Sequence, residues 1–185
     1  MPRSGEAVRR RLQEAALVLY CEHGYDAITA AEIAAEAGVT ERTFFRHFPD
    51  KREVLFGGQD DLRVALARAI AEVSDATAPL AVLGQAFLAT KPILEMNRPF
   101  TEPRSEIIAA TPALRERQLA KIASLQETAA EALAARGIPH RQAVLAAQAG
   151  MAAFSLAFRE WTPDPAADLD SLLTAAFDDL RNAVR

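Results

Sequence analysis

Two short helix-forming segments joined by a glycine turn lie in the run TAAEIAAEAGVTERTFFRHFPDK, which begins at Thr29. Thr29 can cap the first helix, and Glu32 three residues later completes a capping box. Gly38 follows where that helix must end, because glycine adopts left-handed backbone conformations at little cost. Thr40 can cap the second helix, and Pro49 stops it. The spacing therefore predicts a helix-turn-helix unit.

The second helix of this unit has an apolar face and a basic face. Stepping about 100° per residue from Phe44, which we place in the core, puts Arg42 and Arg46 together on the opposite side. Thr43 and Phe45 lie on either side of the arginine pair. A short helix with this outward face can enter a major groove, where arginine pairs with guanine and threonine contacts the thymine methyl group. A solvated helix with two surface arginines is the alternative interpretation.

The run AGVTERTFFRHFPDKREVL and the upstream ITAAEIA resemble the DNA-binding domain of the tetracycline-repressor (TetR) family, over about residues 8 to 56. The resemblance implies phosphate contacts for Thr29, His47 and Lys51. Where the family usually has a tyrosine that contacts phosphate, this chain has Phe45, which can pack against sugar but cannot donate that hydrogen bond. The candidate DNA contacts are Thr29, Thr40, Arg42, Thr43, Phe45, Arg46, His47 and Lys51.

The composition favours a helical protein without a bulk positive charge. Half of the 185 residues are hydrophobic, and aromatic residues make up only 6%. Abundant alanine with few β-branched and aromatic residues favours helices over strands. The net charge is −4, and residues 1–52 hold eight basic and eight acidic side chains. DNA affinity must therefore come from the placement of arginines. Arg9, Arg10 and Arg11 could contact DNA or simply face solvent.

The remainder of the chain is also predicted to be helical. The whole chain is predicted to contain about nine helices and no strands. Asp50 can cap a long helix that runs to about Ser74, and Pro79 opens another through about Met96. The prolines within 97–103 predict an irregular turn, followed by a short helix over 104–110. Further helices are predicted over 112–136, 139–161 and from residue 168 onward. The predicted fold is all-α. The resemblance implies a three-helix DNA-binding domain at 1–50 and a helical effector-binding and dimerisation domain at 51–185.

The last two helices are the candidate dimer interface. The helix over 140–161 is apolar nearly all round, so it must be buried on more than one side. The final helix adds a leucine stripe. The resemblance implies that both helices meet their symmetry mates in a four-helix interface of a homodimer. The alternative is that they fill the core of one monomer.

Large apolar side chains on the helices between the predicted 50–74 helix and the dimer interface are candidates for the lining of an effector pocket. Pockets for small molecules are mostly apolar with a few polar groups. The candidate lining residues are Phe87, Leu94, Met96, Phe100, Arg104, Ile107, Ile108, Phe154, Phe158 and Trp161. Arg104 is included because it could orient a polar end of the ligand. These residues predict a small, mainly hydrophobic effector.

The function indicated is a repressor that leaves a palindromic double-stranded DNA operator when the effector binds. A DNA-binding architectural or adaptor protein that senses no ligand is the alternative. An enzyme is not indicated, because the three histidines are scattered and there is no metalloprotease, nucleotide-binding or nucleophile motif. We expect no cofactor and no metal. Cys21 is the only cysteine, which excludes an intrachain disulfide, and we expect it to be buried. Without an apolar leader or membrane-length run, we expect a cytoplasmic protein with no membrane partner.

Overall fold

The computed structural model describes residues 2–74 and 78–183, and within those ranges the chain is helical with no strand. Nine α-helices and one 3-10 helix are present there. The first four α-helices are α1 (Pro2–His23), α2 (Ala30–Glu36), α3 (Glu41–His47) and α4 (Gln59–Glu72), with the 3-10 helix Glu53–Phe56 between α3 and α4. They are followed by α5 (Pro79–Ala89), α6 (Lys91–Ala110), α7 (Pro112–Ala135), α8 (His140–Trp161) and α9 (Leu169–Ala183). The prediction of an all-helical chain of about nine helices is confirmed.

The described residues form two compact units. The first unit contains the chain up to Gly58 together with Pro99–Leu119, and the second contains Gln59–Arg98 together with the chain from Ala120 onward. The first unit therefore consists of α1 to α3, the 3-10 helix, the second half of α6 and the beginning of α7. Segments that lie far apart in the sequence thus share one unit.

The first unit has its own apolar core. Leu12, Ile33, Phe44 and Phe48 are almost fully buried there, each from a different part of the helix-turn-helix and α1. Ile107 and Ile108 of α6 and Leu114 of α7 belong to the same cluster, together with the buried 3-10 helix residues Val54, Leu55 and Phe56. Burial of these side chains, at roughly 1.5–3 kcal/mol each, holds helices that are too short to be stable alone.

The second unit is built around α8, which packs against α5 and α9. Gly150 of α8 allows this approach, because a Cβ atom there would lie 2.8 Å from the Cδ1 atom of Leu83. Its core holds the aromatic residues Phe87, Phe154, Trp161 and Phe177.

Two arginines satisfy carbonyl groups at the ends of helices in this unit. The guanidinium of Arg136 donates to the carbonyl oxygens of Ile70 and Val73, at 2.9 and 2.8 Å, and so satisfies the end of α4. Arg98 donates to the carbonyl oxygen of Trp161 at 2.9 Å and lies over its indole ring, so it holds the end of α8. Both arginines occupy positions where a cation also favours the helix dipole.

The predicted helix from Asp50 to Ser74 is wrong in its first part. Asp50 lies just before the 3-10 helix Glu53–Phe56, and its Oδ1 atom accepts from the backbone N–H groups of Arg52 and Glu53, at 2.8 and 3.2 Å. The α-helical conformation does not continue from there into α4, because Gly58 has a φ of 92° that a right-handed helix cannot include. The helix therefore restarts at Gln59.

The irregular turn predicted over 97–103 is also wrong. The helix that starts at Pro79 ends at Ala89, and α6 then runs unbroken through Pro99 and Pro103. Each proline removes one helical hydrogen bond. Tertiary packing outweighs that cost, because Thr101, Ile107 and Ile108 on this part of α6 are buried.

Cys21 is exposed, so the expectation that it is buried is wrong, because its position on α1 faces away from the core. In the described ranges, no helix combines the length and the apolar character needed to cross a membrane.

Candidate nucleic-acid interface

The capping residues predicted for α2 form the expected capping box. The Thr29 hydroxyl accepts from the backbone N–H of Glu32 at 3.2 Å, and the Glu32 carboxylate accepts from the backbone N–H of Thr29 at 2.8 Å. The same carboxylate accepts from the Thr29 hydroxyl, and these hydrogen bonds hold the pKa of Glu32 below its usual value. Thr29 is exposed, but its hydroxyl group already caps the N-terminus of α2.

The turn between α2 and α3 depends on a glycine. Gly38 has a φ of 67°, and the backbone N–H of Val39 returns to the carbonyl of Ala34 at 2.9 Å. Thr40 then caps α3 by accepting from the backbone N–H of Thr43 at 3.2 Å. The turn and the cap together fix the direction in which α3 leaves the turn.

The outward face of α3 carries both arginines. Arg42 and Arg46 are exposed, Thr43 is half-buried beside them, and Phe44 is fully buried on the opposite side. Phe45 is 49% exposed and meets Phe44 edge to face. The exposed face of α3 therefore carries two cations and an apolar ring. Arginine can bind guanine edges and phosphates, and an apolar ring can pack against sugar.

The side chain of His47 is partly buried, unlike that of an exposed phosphate-binding residue. Its Nε2 atom is buried and has no hydrogen-bond partner among the described residues, and its Cε1 atom lies 3.9 Å from the position that a Cβ atom would take at Gly5 of α1. Burial, with the positive charges of Arg46 and Arg9, lowers the pKa of His47. The lowered pKa favours the neutral imidazole. The phosphate contact that the resemblance implies for His47 stays a prediction.

Lys51 is largely occupied by the protein itself. Its Nζ atom donates to the carbonyl oxygens of Tyr25 and Ile28, at 3.0 and 2.9 Å, and lies 4.3 Å from the centre of the Tyr25 ring. The Tyr20 hydroxyl donates to the backbone carbonyl of Lys51 at 2.9 Å. Lys51 thus fixes the loop before α2, and at most one of its three N–H donors is left for the phosphate contact that the resemblance implies.

The three arginines of α1 have different surroundings. Arg9 lies over the ring of Phe48, 5.2 Å from its centre, and Arg10 pairs with Glu14 at 3.2 Å. Arg11 is exposed, and its Nη1 atom lies 4.0 Å from the Cβ position at Gly38. Arg11 therefore adds positive charge beside the turn into α3, which the periodicity of α1 alone did not single out.

The candidate effector residues fall into two groups. Phe87 and Phe154 stack with ring centres 4.4 Å apart, and the row continues through Phe158 to Trp161. Leu94 belongs to the same apolar cluster in the second unit, whereas Met96 is 56% exposed. The other four candidates, Phe100, Arg104, Ile107 and Ile108, belong to the first unit. The structure thus brings together about half of the predicted lining.

A cleft of ≈ 150 Å³ opens between α5 and α9 and contains none of the predicted lining residues. Its walls are mostly apolar, with Gln85, Thr174 and Arg181 as polar groups. It is lined by Ala81, Gly84, Gln85, Leu88, Leu173, Thr174, Phe177 and Arg181. The volume is below the range of about 300–1,000 Å³ typical of pockets for drug-sized ligands.

Comparison with known proteins gives two family matches. Residues 12–57 match the family described as bacterial regulatory proteins, tetR family, and residues 77–185 match the family described as MftR C-terminal domain. The first match contains α2, α3 and the turn between them. The second covers more than half of the chain.

Individual relatives agree with these matches. The chain is 26% identical to a protein named as a mycofactocin biosynthesis transcriptional regulator, MftR, from Mycobacterium tuberculosis, over 96% of this chain and 94% of that protein. It is 26% identical to the TetR-family repressor FadR from Thermus thermophilus, solved with lauroyl-CoA, with a TM-score of 0.57 over 96% and 95% of the two chains.

A third relative shows the fold only. SmeT of Stenotrophomonas maltophilia, solved with triclosan, is 23% identical, with a TM-score of 0.64 over 96% of this chain and 91% of that chain. The two domain matches, together covering the helix-turn-helix and most of the remaining helices, place this chain in the TetR family of bacterial transcriptional regulators.

Proposed function

We propose that the chain acts as a homodimeric repressor that binds a palindromic operator through α3 and leaves it when a small, mainly hydrophobic effector binds. The observation that carries the DNA part is the outward face of α3, where Arg42, Phe45 and Arg46 are exposed on a helix anchored by buried Phe44. The first unit has no excess of positive charge to bind DNA without specificity, so placement of these side chains must supply the affinity.

The proposed dimer uses an exposed apolar stripe on α8. Leu145, Ala152 and Leu156 are exposed and recur at helical spacing, and Leu145 is 58% exposed. An apolar stripe of this kind is costly to leave in water and favours association. A two-fold axis through this face would give the pair of recognition helices that a palindrome requires, about 34 Å apart. The last two helices are therefore the proposed homodimer interface.

The proposed effector is apolar because the second unit contains a continuous aromatic row. FadR, 26% identical to this chain, has been solved with lauroyl-CoA, a ligand with a long apolar tail. The row from Phe87 to Trp161 offers surface of the same character. Release of DNA requires the effector to bind the released conformation more tightly than the DNA-bound one. We also propose that the protein works in the cytoplasm, where it meets the chromosome.

A DNA-release assay tests this function. DNA selected from a random pool serves as the operator, and its complex with the chain is followed by fluorescence anisotropy while apolar compounds are added. The proposal predicts that the complex forms at a palindrome and that at least one apolar compound dissociates it at concentrations that leave the protein folded. Operator binding that no compound affects would favour the architectural or adaptor alternative.

A further inference from the structure

Of the three consecutive arginines on α1, only Arg11 keeps its charge free of partners among the described residues. The guanidinium of Arg9 lies over the ring of Phe48, and that of Arg10 pairs with the carboxylate of Glu14 at 3.2 Å. Arg11 is exposed, and its side chain forms neither a hydrogen bond nor an ion pair with a described residue. The charge of Arg11 is therefore available to a partner outside the chain.

Few other cations in this part of the chain are available in the same way. Of the described lysine and arginine side chains before the 3-10 helix, Lys51 donates to two carbonyl oxygens. Arg52 pairs with the carboxylate of the residue two positions before it. Arg42 and Arg46 are exposed and form no ion pair with a described residue. The free cations described here are thus the two arginines of α3 and Arg11.

Arg11 lies beside the turn from which α3 starts. Its Nη1 atom lies 4.0 Å from the position that a Cβ atom would take at Gly38, whose left-handed backbone forms that turn. The third free cation is therefore close to the N-terminal end of the helix that carries the other two. Residues near that end of a recognition helix contact base edges, so a cation beside it is placed to meet the adjoining sugar-phosphate backbone.

Other residues around α3 offer little to a phosphate group. Phe45 has no hydroxyl to donate, and Lys51 keeps at most one N–H donor beyond its two carbonyl partners. The Nε2 atom of His47 is buried. Phosphate contacts nevertheless supply a large share of the affinity of proteins for DNA. An exposed guanidinium beside the turn would supply part of the phosphate binding that these three side chains do not.

We propose that Arg11 binds a backbone phosphate of the operator beside the base pairs that α3 reads, so that the DNA-binding surface extends from α3 to α1. This inference rests on the proposed function, which places only α3 on the DNA. The match to the tetR family begins at residue 12 and therefore assigns no role to Arg11. A guanidinium binds a phosphate through paired N–H donors, and such a contact adds affinity without selecting a base.

The first test measures the salt dependence of binding to DNA selected from a random pool. In Arg11→Met the slope of log K against log salt concentration should become shallower by about 0.9 for each half-site occupied, because one phosphate contact is lost there. The variant should bind the selected DNA and unrelated DNA more weakly by the same factor, with unchanged base preference. Arg11→Lys keeps a charge and should keep most of the slope.

Arg10→Met is the matched control, because it removes the neighbouring arginine, whose charge is already paired with Glu14. It should change the slope clearly less than Arg11→Met does. Equal losses in the two variants would show an effect of total charge and would overturn the contact, as would a full slope in Arg11→Met. Both results would leave operator binding by α3 intact. A wild-type chain that selects no DNA would overturn the inference and the proposed function together.

The second test locates the contact by replacing single operator phosphates with neutral methylphosphonates. The wild-type chain and Arg10→Met should lose affinity at a phosphate in each half-site where Arg11→Met loses none. The same pattern in all three proteins would overturn the inference. Arg11→Met should also melt at the wild-type temperature, because its guanidinium has no internal hydrogen bond. Earlier melting with an unchanged phosphate pattern would assign the charge to the C-terminal end of α2 and count against the DNA contact.

Discussion

At the scale of single residues, the side chains around α3 serve two different purposes. Arg42 and Arg46 are exposed and available to a partner, whereas Lys51 is largely used in holding the loop before α2, and the Nε2 atom of His47 is buried. Residue type alone does not predict which of these side chains are available to a partner. A lysine and a histidine in a DNA-binding motif suggest phosphate contacts, but the carbonyls of the loop before α2 compete for the same Lys51 donors.

Replacing Lys51 by methionine should lower the free energy of unfolding by roughly 1–3 kcal/mol, because two backbone carbonyls lose their donor. Urea denaturation measures this. Arg46→Met is the control, since it removes an exposed cation of the same unit and should change stability by no more than about 0.5 kcal/mol. The phosphate contact implied for Lys51 has its own test: the variant should reduce the salt dependence of DNA binding by about one unit. A full salt slope in the variant would contradict that contact.

His47 should make the protein less stable in mild acid. Its pKa is lowered in the folded chain, mainly by burial, so the unfolded chain binds the proton more readily. The free energy of unfolding should therefore be highest above the unfolded pKa of about 6.5, fall as the pH decreases through that value, and level off below the folded pKa. Denaturation of His47→Gln across pH 5–8 should remove this part of the decline.

The comparison variant for that experiment is His140→Gln, because His140 is exposed at the start of α8. It removes an exposed histidine, so the change seen in His47→Gln can be compared with the removal of a histidine outside the first unit. An identical decline in the wild-type chain and in His47→Gln would show that another group causes it.

At the scale of helices, the elements bounded by local signals were predicted well. Thr29, Thr40 and Gly38 fix the limits of α2 and α3 through bonds within a few residues, so the sequence contains all the information needed. The bounds of α6 were not predictable in the same way. Its prolines predict a break, and only the burial of side chains such as Ile107 and Ile108 explains why the helix continues.

Gly38→Ala should destabilise the first unit by roughly 1–2 kcal/mol, because an alanine there must adopt a left-handed conformation. The φ of 67° is required for the turn that directs α3. Thermal denaturation gives the change in stability, and operator affinity should fall with it. Gly5→Ala is the matched control: Gly5 is helical, its Cβ position is free of close contacts, and alanine should be neutral or stabilising. Equal effects of the two substitutions would contradict the role of Gly38.

At the scale of the whole molecule, the sequence predicts an effector region and a dimer region only coarsely. Large apolar residues predict burial, but they do not distinguish a packed core from a pocket, and the two groups of candidate lining residues lie in different units. The same limit affects the dimer stripe. Leu173 belongs to the leucine stripe of the last helix, which the sequence predicts to lie in the dimer interface. It is only 1% exposed within the chain itself, so its substitution would disturb the fold first.

Leu145→Glu tests the dimer without that ambiguity, because Leu145 is exposed on α8. A carboxylate placed at each side of a two-fold apolar interface should convert the protein to a monomer at micromolar concentration, with little change in helical content. Sedimentation velocity gives the mass. Leu119→Glu, at an exposed position on α7, is the control and should leave the dimer intact. A wild-type monomer at this concentration, or a Leu145→Glu dimer, would contradict the proposed interface.

The central claim is that a pair of α3 helices reads DNA through Arg42 and Arg46. The most direct test is selection of bound DNA from a random pool, carried out in parallel with the wild-type chain, Arg42→Ala and the exposed-arginine control Arg68→Ala of α4. The account predicts a palindrome for the wild type and the control. Arg42→Ala should lose base preference at two symmetry-related positions and about 1–3 kcal/mol of specific affinity. A sequence without two-fold symmetry, or an unchanged preference in Arg42→Ala, would contradict it.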